Sequence, residues 1–281
     1  MAAFIWMSGA LLSLCLMAIG ARELAGSVGT FQILFVRSAI GLLVVSVVIL
    51  RSGQGTLFRT RKFKIHLGRN VFHFIGQYGW FLGIGVLPLA QVFALEFTTP
   101  LWTLIIAALF LKESLTFKKI VAIVLGSSGV YLILNPGADI VHPAALYVLG
   151  AAVCFGVAYV STKALAATDD PLTVLFYMCA IQLPIGLLSC LGRFVLPSLI
   201  QWGWLTLVGL TALTAHFCIT HAMKKADASV VVTLDFLRLP LISVVGVLFY
   251  AEAFNPMLVL GATLMLVGNL INIYKRSPIM R

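Results

Sequence analysis

Charged side chains are scarce in this chain: Asp, Glu, Lys and Arg make up 10% of its 281 residues, where a soluble globular domain carries about 25%. With 61% hydrophobic residues and a mean hydropathy of +1.09, there is too much apolar surface to hide in one water-soluble core, and lipid is the solvent that fits. The net charge of +10 does not point to nucleic acid, because the basic residues sit in short gaps between apolar runs, the pattern that orients a membrane protein. Cysteine is sparse too. Cys15, Cys154, Cys179, Cys190 and Cys218 all lie inside apolar runs and form no CxxC, which leaves them as packing residues and supports neither a disulfide framework nor a metal site. Catalytic signatures are missing as well: there is no GxxxxGK[ST], HExxH or GxSxG, and the histidines are scattered at His66, His73, His142, His216 and His221. Nothing therefore supports a cofactor, ATP drive within this chain, or the rival reading of a membrane-embedded enzyme such as a lipid transferase or hydrolase.

What is present is a series of ten apolar stretches near the 20 residues that cross a bilayer: 2–21, 31–50, 70–87, 89–111, 118–134, 144–163, 172–191, 201–222, 229–250 and 256–274. The first lacks a basic lead-in and is long enough to span, so it reads as a retained helix rather than a signal peptide. Breakers fill the gaps, among them Asn135-Pro136-Gly137, Asp169-Asp170-Pro171 and Asn255-Pro256, and Leu87-Pro88 predicts a tight hairpin. No gap is long enough for a separate soluble domain; the longest is the basic loop Arg51–Arg69. Ten spans place both termini on one side. Fifteen Lys and Arg fall on that side, six of them in the Arg51–Arg69 loop, against Arg22 and Arg193 on the other. The positive-inside rule then puts both termini in the cytoplasm.

The chain also repeats itself. Residues 86–134, moved forward by 139 positions, fall without a gap on 225–273: Glu96 on Asp235, Glu113 on Glu252, Gly129 on Gly268. The halves run over 1–134 and 144–275. Each holds five spans, an odd number, so the second enters from the opposite side and the repeats are inverted. The predicted fold is an all-α integral membrane protein of two inverted five-helix repeats, a geometry that allows two exchangeable states, each open to one side.

Phe35-Val36-Arg37, the run Leu111-Lys112-Glu113-Ser114-Leu115-Thr116 followed by Gly126 and Gly129, and its second copy Tyr250-Ala251-Glu252-Ala253 with Gly261 and Gly268 resemble the motifs of the EamA-type, ten-helix members of the drug/metabolite transporter superfamily. The second copy departs from the pattern in its Asn255-Pro256 turn. The resemblance covers nearly the whole chain. It implies a multi-pass carrier of the bacterial inner membrane, often an exporter of small metabolites, with a central cavity between the halves; family substrates include amino acids, nucleoside-like compounds, riboflavin and S-adenosylmethionine.

A charge at mid-span costs about 2.5–3.5 kcal/mol on the insertion scale, so such residues face the protein interior or a cavity. Here they are Arg37, Glu96, Asp235 and Arg238. The 139-residue offset pairs Glu96 with Asp235, Thr99 with Arg238 and Gln77 with His216, which predicts an outward cluster (Gln77, Glu96, Thr99) and an inward one (His216, Asp235, Arg238). Pro100 and Pro240 lie just beyond them, each freeing a carbonyl one turn back. In the functional reading these clusters bind the polar ends of a substrate, with Glu96, His216 and Asp235 as candidates for exchanging a coupled proton. In the structural reading Asp235 and Arg238 only fix helix packing. Helix three carries His73, Gln77 and Trp80 on one stripe, with Gly79 and Gly83 spaced for close packing; Trp80 and, in helix six, Tyr159 are further substrate-binding candidates. Arg37 reads as an anchor, Glu113 and Glu252 as caps or interface partners, and His221 as solvated near the inner surface. The leading function is a secondary carrier of a small polar or zwitterionic metabolite, amino-acid-like or related, with export favoured; import of a nucleoside-like, flavin or S-adenosylmethionine-type metabolite is the alternative. A channel fits lone buried carboxylates less well than alternating access does. The expected partners are the substrate, the bilayer and a coupling proton, in a monomer or homodimer.

Overall fold

The computed structural model describes residues 2–110, 116–134, 142–226, 231, 234, 235, 237–253 and 255–273. Glu113, Lys112, the Asn135-Pro136-Gly137 breaker and the basic C-terminal residues lie outside them. Among the described residues the regular structure is all helical: α1 (Ala2–Leu24), α2 (Thr30–Arg51), a 3-10 turn (Gly55–Phe58), α3 (Phe63–Val86), α4 (Leu89–Glu96), α5 (Thr99–Phe110), α6 (Phe117–Leu134), α7 (Pro143–Ala166), α8 (Pro171–Cys190), α9 (Leu199–Lys225), α10 (Arg238–Tyr250) and α11 (Pro256–Ile273). Of these, α1, α2, α7, α8 and α9 are long and apolar enough to cross a membrane by length and composition.

The breakers act as helix starts. His142 and Asp170 accept hydrogen bonds from the backbone N–H of the second residue of α7 and of α8, Ala144 and Leu172, each with proline at the first helical position, where no N–H is needed. Ser198 and Gln201 form a capping box on α9. Asn255 accepts from Met257 N at 2.9 Å just before Pro256, so the departure from the family turn is a proline-initiated N-cap.

Two sequence expectations need correction. Helix α3 begins at Phe63, about two turns before the predicted 70, so Lys64 and Arg69 belong to the helix and Arg69 is buried rather than a loop charge. A long side chain with partners on neighbouring helices need not sit in water. The stretches 89–111 and 229–250 are also not continuous helices. The first breaks at Phe97-Thr98, between α4 and α5. There Pro100 has no N–H for the Glu96 carbonyl, which instead accepts the Thr99 hydroxyl at 2.6 Å. In the second, Leu234 and Asp235 are helical, Leu237 is a turn residue and α10 starts at Arg238.

The main packing partners are α1 with α9, α3 with α7, α2 with α8, and α6 with α11. Small residues set two of these contacts. A Cβ on Gly79 would collide with the Tyr147 carbonyl of α7, and Gly129 and Gly261 each press on the other's backbone where α6 crosses α11. Polarity is sorted as lipid demands. Leu43, Leu188, Leu248 and Phe249 are exposed on the outside, while Gln32, Arg37, Arg69, Asn70, His73, Gln77, Glu96, Asp235 and Arg238 are buried.

At the end of the bundle where α2 runs into α3 and α7 into α8, Asp169 ties two connections together. It accepts from Thr60 at 2.7 Å and lies 2.8 Å from His66 Nε2. Burial alone would raise its pKa, but hydrogen bonds from His66, Thr60 and Thr168 hold the carboxyl below the usual range. At the opposite end Arg22 pairs with Glu252 at 2.8 Å and donates to the Leu87 carbonyl at 2.7 Å, while Glu252 accepts from Leu89 N, capping α4. Glu252 is thus both a cap and an interface partner.

Candidate functional site

The break in α4–α5 and the start of α10 bring three charged residues together. Arg238 Nη2 donates to Glu96 Oε1 at 3.0 Å and to Asp235 Oδ2. The second oxygen of Glu96 accepts from Trp80 Nε1 at 2.8 Å. The Arg238 guanidinium lies over the rings of Phe93 and Phe97, 4.8 and 5.5 Å from their centroids, a cation–π arrangement that holds a planar cation in an apolar site. Arg238 is 1% exposed. The expected separation into an outward and an inward cluster therefore does not hold for the charges. Glu96, which has no cation near it in sequence, meets Arg238 directly, and the two carboxylates share one guanidinium.

A narrow cavity with about 50 Å³ of free volume adjoins this bridge. Glu96, Arg238, Trp80, Gln77, His216 and Tyr159 line it, and so do Arg69 and His73. The α3 stripe forms one side of that wall: His73, Gln77 and Trp80 point inward as their spacing predicts, and Arg69 extends the stripe by one more turn. The imidazole of His73 sits 2.9 Å from Gln182 Nε2 and 3.5 Å from Gln77 Nε2, with its ring centroid 4.7 Å from that of His216. Among the described residues, the amide oxygens of Gln77 and Gln182 and Asp235 Oδ1 are buried without a hydrogen-bond partner.

Seven of the eight sequence candidates meet at this site. Gln77, Trp80, Glu96, Tyr159, His216 and Arg238 line the cavity, and Asp235 adjoins it through Arg238. Thr99 is buried, but its hydroxyl is used on the Glu96 carbonyl and it is not part of the wall. His221 is not simply solvated: it stacks on Trp6 at 4.4 Å. Sequence reasoning missed Arg69 and Gln182. Arg69 carried a usable signal, its position four residues before His73 on the same helical face. Gln182, a lone amide in an apolar helix, carried little.

A family model described as "EamA-like transporter family" matches residues 1–135 and 142–274. Among curated relatives, a protein named S-adenosylmethionine uptake transporter from Rickettsia bellii is 24% identical over 89% of this chain and 86% of its own length. A riboflavin transporter from Vibrio cholerae is 31% identical over 83% and 79%, and the pseudopaline exporter of Pseudomonas aeruginosa is 24% identical over 88% and 87%. A solved crystal structure superposes with a TM-score of 0.70 over 96% of both chains at 18% identity, a likeness of fold alone.

Proposed function

The chain belongs to the EamA-like transporter family, and from that premise we propose that it is a secondary active carrier of a small polar or zwitterionic metabolite in the inner membrane, working by alternating access. In this reading ten spans form two inverted five-helix repeats, 1–134 and 144–275, with both termini in the cytoplasm. The helix pairing supports the repeat: adding 139 to the residue numbers of one half turns the α1–α9 contact into the α7–α3 contact, and the α2–α8 and α6–α11 contacts map onto themselves. The broken helices lie at matching positions, as they do around the central sites of inverted-repeat transporters.

The observation that carries the proposal is the Glu96–Arg238–Asp235 bridge, which joins the two halves at their helix breaks and borders the cavity. One guanidinium between two carboxylates leaves one negative charge to be balanced, by a proton or by a cationic group of the substrate. Glu96 and Asp235 are the groups that would exchange it, with His216 on the facing wall. A free volume of about 50 Å³ is below the roughly 300–1,000 Å³ of small-molecule pockets, so substrate entry is coupled to parting of the halves. The relatives named for uptake support import over the export that the family resemblance implied, while one relative is named as an exporter.

The test is a thermal-shift screen of purified protein with S-adenosylmethionine, flavins, amino acids, nucleosides and quaternary amines, followed by counterflow of any hit in proteoliposomes. The expected result is a stabilising ligand with saturable counterflow, both reduced at least tenfold by Asp235→Asn or Glu96→Gln. A hit that shows uptake without counterflow, or that ignores both substitutions, would overturn the mechanism.

A further inference from the structure

Among the described residues, two buried arginines stand outside this bridge. Arg37 is 3% exposed and Arg69 4%. Among the described residues the one hydrogen bond of the Arg37 side chain goes to the Met178 sulfur at 4.0 Å, and its Nη1 is buried without a hydrogen-bond partner. Arg69 donates from Nε to Thr162 at 3.2 Å and from Nη1 to Asn70 Oδ1 at 2.6 Å, both neutral acceptors. Neither has a carboxylate partner among the described residues, and Arg37 lies near enough for its charge to act on Arg69 and, like Arg69, on His73 and His216. Burying unpaired charges of one sign is costly unless an anion joins them. Arg69 forms part of the cavity wall, so the place for that anion is the cavity itself.

On the carrier reading above, we propose that the Arg69 end of the cavity, reinforced by the charge of Arg37, is an oxyanion subsite that holds a carboxylate or phosphate of the substrate. Arg69 and Trp80 lie about three turns apart on α3, roughly 16 Å of helix rise. The cavity is therefore polarised, with uncompensated positive charge at one end and the net negative Glu96–Arg238–Asp235 bridge at the other. A ligand with an acidic group and a cationic group some distance away matches both ends. The guanidinium of Arg69 already uses two donors to fix its orientation, leaving Nη2 for the ligand, and a planar cation with spare donors suits an oxyanion better than a point charge does. Arg37 acts through its field and not by contact with the cavity, so it is a positioning residue.

The probes are benzoate, phenyl phosphate and the neutral isostere benzamide, added at millimolar concentration to full-length protein in lipid-free detergent and, separately, in nanodiscs with and without anionic lipid. Thermal stability is the readout, with helical content and size-exclusion profile as checks on folding. The expected result is protection by benzoate or phenyl phosphate and none by benzamide. Protection should fall at least tenfold in apparent affinity in Arg69→Gln, recover partly in Arg69→Lys, weaken in Arg37→Gln and persist in Lys64→Gln, an exposed charge on the same helix. Equal protection by benzamide, no protection of the folded protein by either anion, or protection unchanged in Arg69→Gln would overturn the subsite. So would stabilisation by anionic lipid alone. Counterflow is read independently: anion protection without counterflow leaves the subsite and removes the carrier mechanism, and the reverse result does the opposite.

Discussion

Arg238 is held by two carboxylates and two aromatic faces, almost fully out of solvent. Such a group is balanced by its partners, so removing it costs more than the bridge contributes on its own. Arg238→Gln leaves Glu96 and Asp235 facing each other in a low dielectric and should destabilise the protein by about 3–5 kcal/mol. The triple change Glu96→Gln, Asp235→Asn, Arg238→Met removes all three charges together and should be milder than Arg238→Gln. Chemical unfolding in a fixed lipid–detergent mixture measures both, and a triple variant weaker than the single one would argue against charge imbalance as the cause. The charged members of this bridge stand out in the sequence because each is expensive within an apolar run. The Glu96–Arg238 pairing does not, because the two are 142 positions apart and nothing local in either segment specifies the other.

At the scale of helices, two different devices position the site. A proline with polar rescue breaks the helix that carries Glu96, as the Thr99 hydroxyl on the Glu96 carbonyl shows. Small residues bring together the helices that surround it. At the α6–α11 crossing a Cβ on Gly261 would meet the Gly129 carbonyl and the Ile133 side chain, so Gly261→Leu overpacks a backbone contact and should cost about 1–3 kcal/mol. Gly203 on α9 is exposed with open space around its α-carbon, and Gly203→Ala should be neutral or slightly stabilising because alanine favours helix. Thermal unfolding followed by circular dichroism compares the two; equal effects would mean that the crossing yields and glycine is not required there. The glycine spacing on α3 was readable in sequence, but the start of that helix was not. Basic residues at the edge of an apolar run look like loop charges, and only the neighbours Thr162 and Asn70 show that Arg69 is solvated from within.

For the molecule as a whole, moving Arg69 from loop to interior leaves the charge asymmetry at fourteen against Arg22 and Arg193, so the orientation argument survives the correction. A fluorescent protein fused at the C-terminus should therefore fold and fluoresce, and alkaline phosphatase fused there should be inactive, while phosphatase inserted between α8 and α9, at 191–198, should be active. The reverse pattern would invert the orientation and place the Arg69 end of the cavity on the outer side.

The sequence by itself determined the solvent, the helical class and which polar residues had to be sheltered, because composition and hydropathy are summed along the chain and each charge in an apolar run declares its own cost. It also supplied the proposed duplication, since matched positions keep their linear order. The tertiary structure alone decided that Glu96 and Asp235 share Arg238, that Thr99 serves a backbone carbonyl and not the cavity, and that Arg37 and Arg69 stand without an acidic partner among the described residues. Those outcomes depend on which helices cross, at what depth and on which faces, and that is settled by packing between segments distant in sequence, where no local periodicity reaches.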